Sequence, residues 1–232
     1  MKSTKINFEN RDGQKLAARL ELPVDGHPEA FVLFANCFTF TKNFHAVTNI
    51  SRALTQKGFG VLRFDFTGLG ESEGDFAGTN FSSNVDDLIA AAGSLENNYR
   101  APAILVGHSL GGAAVIFAAA RLNSVKAVAS IAAPSNPVHV KNLLQDSREE
   151  IEKKGKAKVS IGGRPFTIKK QFLDDLEQQH MKSVLESFDA ALLILHSPVD
   201  KIVGIDNAAE LYKMARHPKS FISLDGADHL KK

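Results

Sequence analysis

The pentapeptide Gly107-His108-Ser109-Leu110-Gly111, followed by Gly112, has the form G-x-S-x-G. Small residues two positions before and two after a serine let the backbone turn too sharply for ordinary side chains. Such a turn belongs after an apolar strand and before a helix. It lifts the hydroxyl clear and puts it at the positive end of the helix, where a developing oxyanion is stabilised. A hydroxyl is a weak nucleophile alone; it needs a base, and the base needs an orienting acid. On an elbow of this kind the acid follows the serine in the chain, and the histidine follows the acid. Asp200, in His196-Ser197-Pro198-Val199-Asp200, and His229, in Gly226-Ala227-Asp228-His229, stand in that order, each past an apolar run. The expected roles are Ser109 as nucleophile, His229 as base and then acid, and Asp200 as orienter.

Other residues compete. His196 is a second candidate base, although it precedes Asp200 and is expected to pack beside it. His108 is expected to turn into supporting structure. Asp225 and Asp228 lie too near His229 in sequence to hold its ring from the far side, and Asp206 reads as a helix cap. His45, His139, His180 and His217 have no partner pattern and read as surface or packing residues. The expected oxyanion donors are the backbone N–H of Leu110 and that of Phe38, in the loop Asn36-Cys37-Phe38-Thr39. Cys37 could be taken for a nucleophile, but the sequence offers it neither a positioned histidine nor a helix start. The Gly-rich stretch Arg63-Phe64-Asp65-Phe66-Thr67-Gly68-Leu69-Gly70-Glu71-Ser72 matches neither a Walker spacing nor G-x-G-x-x-G leading into a helix. It reads as a structural turn rather than a phosphate cradle.

These residues need a scaffold that brings three loops to one edge. Apolar runs alternate with amphipathic ones, the mark of βαβ units and a mostly parallel sheet. Strands are expected at 16–21, 31–35, 61–64, 102–106, 127–131, 192–195 and 220–224, and helices at 44–57, 83–96, 110–121 and 207–216. The helix at 83–96 is expected to open on a capping box, Ser83-Asn84-Val85-Asp86. Ser109, Asp200 and His229 each follow a different strand, and sites of open parallel sheets collect at the strands' carboxyl ends. Residues 134–182 break the rhythm: helical character at 138–154, a β-hairpin turning on Gly162-Gly163, and helical character again at 170–180.

The 232 residues are expected to form a single domain, 1–232, with 134–182 inserted in it as a cap. With 44% hydrophobic and 23% charged residues, the composition excludes disordered, collagen-like and coiled-coil chains. The longest apolar run, 113–120, is far short of the ~20 residues a membrane helix needs. The first residues lead into no apolar core of a secretory signal. Cys37 is the single cysteine, so no internal disulfide can form, which fits a reducing, cytoplasmic setting. A net charge of +2 gives no call for nucleic acid. Lys153, Lys154, Lys156, Lys158, Arg164, Lys169 and Lys170 follow one another with no acid between them. That segment is a solvated hairpin, or a cap that attracts anionic substrates or docks on an acidic partner.

The elbow at Ser109, the acid loop at Asp200, the histidine loop at His229 and the D-x-x-G-x-G-x-S stretch from Asp65 to Ser72 together resemble the α/β-hydrolase superfamily over nearly the whole chain. A narrower resemblance is to the hydrolase half of bifunctional proteins that join an α/β-hydrolase to an OsmC-like domain. It is carried by Phe38-Thr39, 63–74, 80–85, Gly162-Gly163-Arg164-Pro165-Phe166 and 217–221. The resemblance implies an α/β-hydrolase fold: a mostly parallel central sheet, helices on both faces, and a small helix-hairpin-helix cap. It implies cleavage of a small-molecule carboxylic ester or thioester through an acyl-serine, with no metal or organic cofactor and no membrane. A non-catalytic ligand- or partner-binding module, and amide or carbon–carbon cleavage by the same residues, are the alternatives. Two positions depart from the pattern. Asn36-Cys37 stand where many members have His-Gly. The chain also stops three residues after His229, where a last helix is expected, so a longer parent with a C-terminal OsmC-like domain, or an unusually short end, is implied.

Overall fold

The computed structural model describes residues 1–37, 39–161 and 163–229, with the backbone alone at 143. An eight-stranded sheet runs in the order β1-β2-β4-β3-β5-β6-β9-β10. β1 (Lys2–Glu9) and β2 (Lys15–Leu22) form an antiparallel pair, and β2 meets β4 (Gly60–Phe64) antiparallel. From β4 onward through β3 (Phe31–Ala35), β5 (Ile104–His108), β6 (Ala127–Ile131), β9 (Ala191–His196) and β10 (Lys219–Ser223), every pairing is parallel.

The central strands are apolar on both sides because both faces are covered. Val32, Phe34, Val61 and Val106 pack with Val47 of α1 (His45–Gln56). The alternate residues Leu33, Leu62 and Leu105 point the other way, onto α2 (Phe81–Asn98) and α3 (Leu110–Ala119). α7 (Asp206–Met214) lies between β9 and β10 in the chain and buries Ala208 and Leu211.

The expected strands and helices are present, with two corrections. β1 is absent from the expected strands: only Ile6 and Phe8 of Lys2 to Glu9 are apolar, too short an alternation to mark a strand. α2 begins two residues before the expected capping box. Its cap is Asn80, which accepts from the Ser83 N–H, while the Ser83 hydroxyl accepts from the Asn80 N–H. Ser83 is therefore the third-residue partner of the box, not its start.

The insertion keeps its expected character with finer divisions. A 3₁₀ stretch, Pro137–Leu144, leads into α4 (Gln145–Lys154). β7 (Lys156–Ile161) and β8 (Arg164–Lys169) pair antiparallel with Ile161 opposite Arg164. α5 (Lys170–Glu177) and a further short helix, α6 (Met181–Glu186), return the chain to β9. The insertion is anchored at the start of α2, where Asp175 accepts from Ser82 N–H and Oγ, and the Asn80 side-chain amide donates to Gln171. Phe166 of β8 packs on Phe76, ring centres 4.9 Å apart.

Candidate active site

β5 ends at His108 and α3 begins at Leu110, which leaves Ser109 alone to make the turn. Its φ of 56° and ψ of −127° lie where a side-chain-bearing residue is strained. The neighbouring glycines make room for it. A Cβ on Gly107 would stand 2.3 Å from the Gly111 carbonyl oxygen, and one on Gly111 would stand 2.1 Å from that of Asn36.

Asp200 and His229 close on this serine from the two loops past β9 and β10. His229 Nε2 lies 3.0 Å from Ser109 Oγ, and His229 Nδ1 lies 2.6 Å from Asp200 Oδ2. The other Asp200 oxygen accepts from the backbone N–H groups of Ile202 (2.9 Å) and Val203 (3.0 Å), so the carboxylate is fixed at both ends. All three residues are buried. Burial opposes ionisation of Asp200, but the His229 bond and the two N–H donors outweigh it and lower its pKa. Burial likewise disfavours the His229 imidazolium, yet the Asp200 bond and a contribution from Cys37 raise it to about 9.

His196 is not placed as a base. It is fully buried beside Asp200, its Nε2 2.8 Å from the Val203 carbonyl oxygen and 3.6 Å from Asp200 Oδ2. His108 supports the histidine loop: its Nε2 is 2.8 Å from the His229 carbonyl oxygen, and the two rings stand 5.0 Å apart. Asp225 takes a hydrogen bond from Ser223. Asp206 opens α7 without a side-chain cap bond, contrary to its expected capping role; it contributes only a negative charge at the helix's positive end.

The Cys37 expectation needs a larger correction. Burial would raise its pKa, but contacts with His108, His229 and Ser109 lower it to about 6. Two histidines thus attend a thiol to which the sequence assigns none. They come from 71 and 192 residues away, a distance no local pattern can register. Of the expected oxyanion donors, Leu110 is the first residue of α3, whose opening N–H groups have no acceptor within the helix. Phe38 lies outside the described residues.

The loop that carries Cys37 is clamped from behind by the Gly-rich stretch. Asn36 donates to the Phe64 carbonyl oxygen at 3.0 Å. Lys42, 1% exposed, places its ammonium 2.5 Å from Asp65 and 2.7 Å from Glu71, while its N–H donates to Asp65 at 2.7 Å. Arg63 donates to the Lys42 carbonyl oxygen and pairs with buried Glu21 at 2.9 Å. Gly70 is required because a Cβ there would stand 2.2 Å from the Asp65 carboxylate. These contacts bear out the structural-turn reading of 63–72. Among the described residues no group of histidine, cysteine and carboxylate side chains could hold a metal ion, and no helix is long and apolar enough to cross a membrane.

Residues 26–143, half of the chain, match the family described as serine aminopeptidase, S33. The chain belongs to this family of α/β-hydrolases. The matched stretch includes the Ser109 elbow and ends before Asp200 and His229. The esterase domain of a Rhodothermus marinus protein is 53% identical over 99% of this chain and 90% of its own, with a TM-score of 0.81. The mitochondrial palmitoyl-protein thioesterase ABHD10 of Pongo abelii is 28% identical over 153 residues, 63% of this chain. That alignment spans 49% of the thioesterase, about half its length. Est1E of Butyrivibrio proteoclasticus, solved with ferulic acid bound, shares the fold at a TM-score of 0.83 and 19% identity, over 98% of this chain and 92% of its own.

Proposed function

We propose that the protein is a serine hydrolase that cleaves carboxylic esters or thioesters through an acyl-serine intermediate, with Ser109, His229 and Asp200 as its catalytic residues. The observation that carries this reading is the hydrogen-bonded chain from Asp200 through His229 to a serine held at positive φ. In the first half-reaction Ser109 Oγ attacks the carbonyl carbon as His229 Nε2 takes its proton. Asp200 stays ionised and stabilises the imidazolium. The carbonyl electron pair moves onto oxygen, which accepts from the Leu110 N–H, with Phe38 the second donor. One such donor is typically worth ~2.7–4 kcal/mol of barrier. Collapse expels the alcohol or thiol, which leaves with the His229 proton. Water then attacks the acyl-serine with His229 again as base, and the carboxylic acid departs.

The cycle balances without a metal or organic cofactor. Residues 134–182 serve as the cap that bounds the acyl pocket, and the substrate is a small molecule. The Rhodothermus marinus esterase domain and the thioesterase relative favour an ester or thioester over other bonds. Intact mass after treatment with a fluorophosphonate tests the proposal. One adduct is expected on the wild type and none on Ser109→Ala. A folded wild type that takes up no adduct overturns it.

A further inference from the structure

The insertion brings an exposed guanidinium against the loop beside the site. β8 opens with Arg164, and its Nη1 donates to the carbonyl oxygen of Thr39 at 3.3 Å. Thr39 lies three residues after Asn36, whose carbonyl oxygen packs so closely on Gly111 of the elbow that a Cβ there would meet it at 2.1 Å. The guanidinium is therefore tied to the loop that flanks the turn carrying the nucleophile. Its carbon lies 5.8 Å from the centre of the Phe166 ring, itself held against Phe76. Thr39 and the ring thus fix the fork while Arg164 remains exposed, with no carboxylate partner among the described residues. A guanidinium has five N–H donors, and the Thr39 bond uses one of them.

The surrounding charge points the same way. Residues 153–170 hold seven basic side chains and no acid, so the chain's net +2 leaves −5 for all the rest. Lys153, Lys154 and Lys170 are paired, with Glu149, Glu150 and Asp174. Lys156, Lys158 and Lys169 have no such partner among the described residues. Lys156 and Lys169 stand directly opposite each other across the hairpin. Like charges in that position destabilise a hairpin. Their cost is offset if the hairpin's task is to draw an anion towards the site.

We propose that Arg164 forms an anion subsite at the mouth of the active site. The preferred substrate would then carry a carboxylate or phosphate at the end remote from the scissile carbonyl. The planar fork grips two oxygens of such a group, and the lysines raise its local concentration. This inference rests on the serine-hydrolase reading for its chemistry, but the subsite can be tested by binding alone.

The test compares p-nitrophenyl esters of three matched acids: one ending in a carboxylate, one in a phosphate, and one in a methyl ester. The readout is the ratio of kcat/KM for each anionic ester over its neutral twin. The wild type is expected to favour at least one anion about tenfold, as a charge-assisted bond allows. The arm with the larger ratio names the group. Arg164→Gln should bring the ratio near one. Arg164→Lys, which keeps charge without the fork, should fall between. A wild-type ratio near one, or a ratio unchanged in Arg164→Gln, overturns the subsite. Calorimetric binding of the monomethyl ester of octanedioic acid to Ser109→Ala, with and without Arg164→Gln, separates the two readings. Absent turnover with Arg164-dependent binding leaves the subsite and sinks the acyl-serine chemistry. Binding that ignores Arg164 sinks the subsite alone.

Discussion

Lys42→Met is the most informative test of what holds the loop beside Ser109. The wild-type ammonium is buried between Asp65 and Glu71, and Asp65 is itself 1% exposed. Methionine fills much of the same volume but strands the Asp65 carboxylate. Breaking a buried pair on one side typically costs ~3–5 kcal/mol. Here Asp65 keeps two backbone donors, the N–H groups of residue 42 and of Glu71, at 2.7 and 3.0 Å. The loss should therefore sit near the lower end, about 3 kcal/mol. At 2–4 °C per kcal/mol for a chain of this size, Tm should fall by roughly 6–12 °C in scanning calorimetry. Adding Asp65→Asn removes the stranded charge and should recover part of the loss. The fluorophosphonate labelling rate should also fall, because the same loop carries Cys37 to Ser109 and His229. A Tm within 2 °C of wild type would refute the reasoning. So would an Asp65→Asn second change that only adds damage, since the cost would then not come from an uncompensated carboxylate.

Three further outcomes follow from the geometry. His229 must be neutral to take the Ser109 proton, and Asp200 and Cys37 both favour its charged form, so kcat/KM should rise with pH through a midpoint above 6.5, towards about 9. Cys37→Ser should move that midpoint down; a pH–rate profile with an unmoved or lower-than-ordinary wild-type midpoint would contradict the assignment. Asp200→Asn should lower kcat by about 10⁴-fold in steady-state kinetics with the fold intact by circular dichroism, because an amide cannot hold the imidazolium. Gly111→Ala should cost several kcal/mol or block folding in urea titrations, since its Cβ would sit 2.1 Å from a backbone oxygen that cannot swing aside.

The sequence by itself carried what is local. The elbow was legible because strain at one residue demands small neighbours at fixed offsets, as at Gly107 and Gly111. The buried strands were legible because a sheet covered on both faces needs unbroken apolar runs, as in Phe31–Ala35. The meeting of Ser109, Asp200 and His229 was legible because each follows its own parallel strand and those strands end at the same edge. β1 escaped because it borrows its order from β2 rather than from its own apolar pattern. The capping box at Asn80 escaped because several polar residues there can start a helix, and packing chose among them. Tertiary structure alone decided the rest. It brought His108 under the His229 loop, set the Cys37 thiol among two histidines, buried Lys42 between two carboxylates, and laid Arg164 against Thr39 across 125 residues of chain. Spacing along a chain reports only neighbours within a turn or a strand, whereas pKa values and specificity depend on charges that folding brings within a few ångströms.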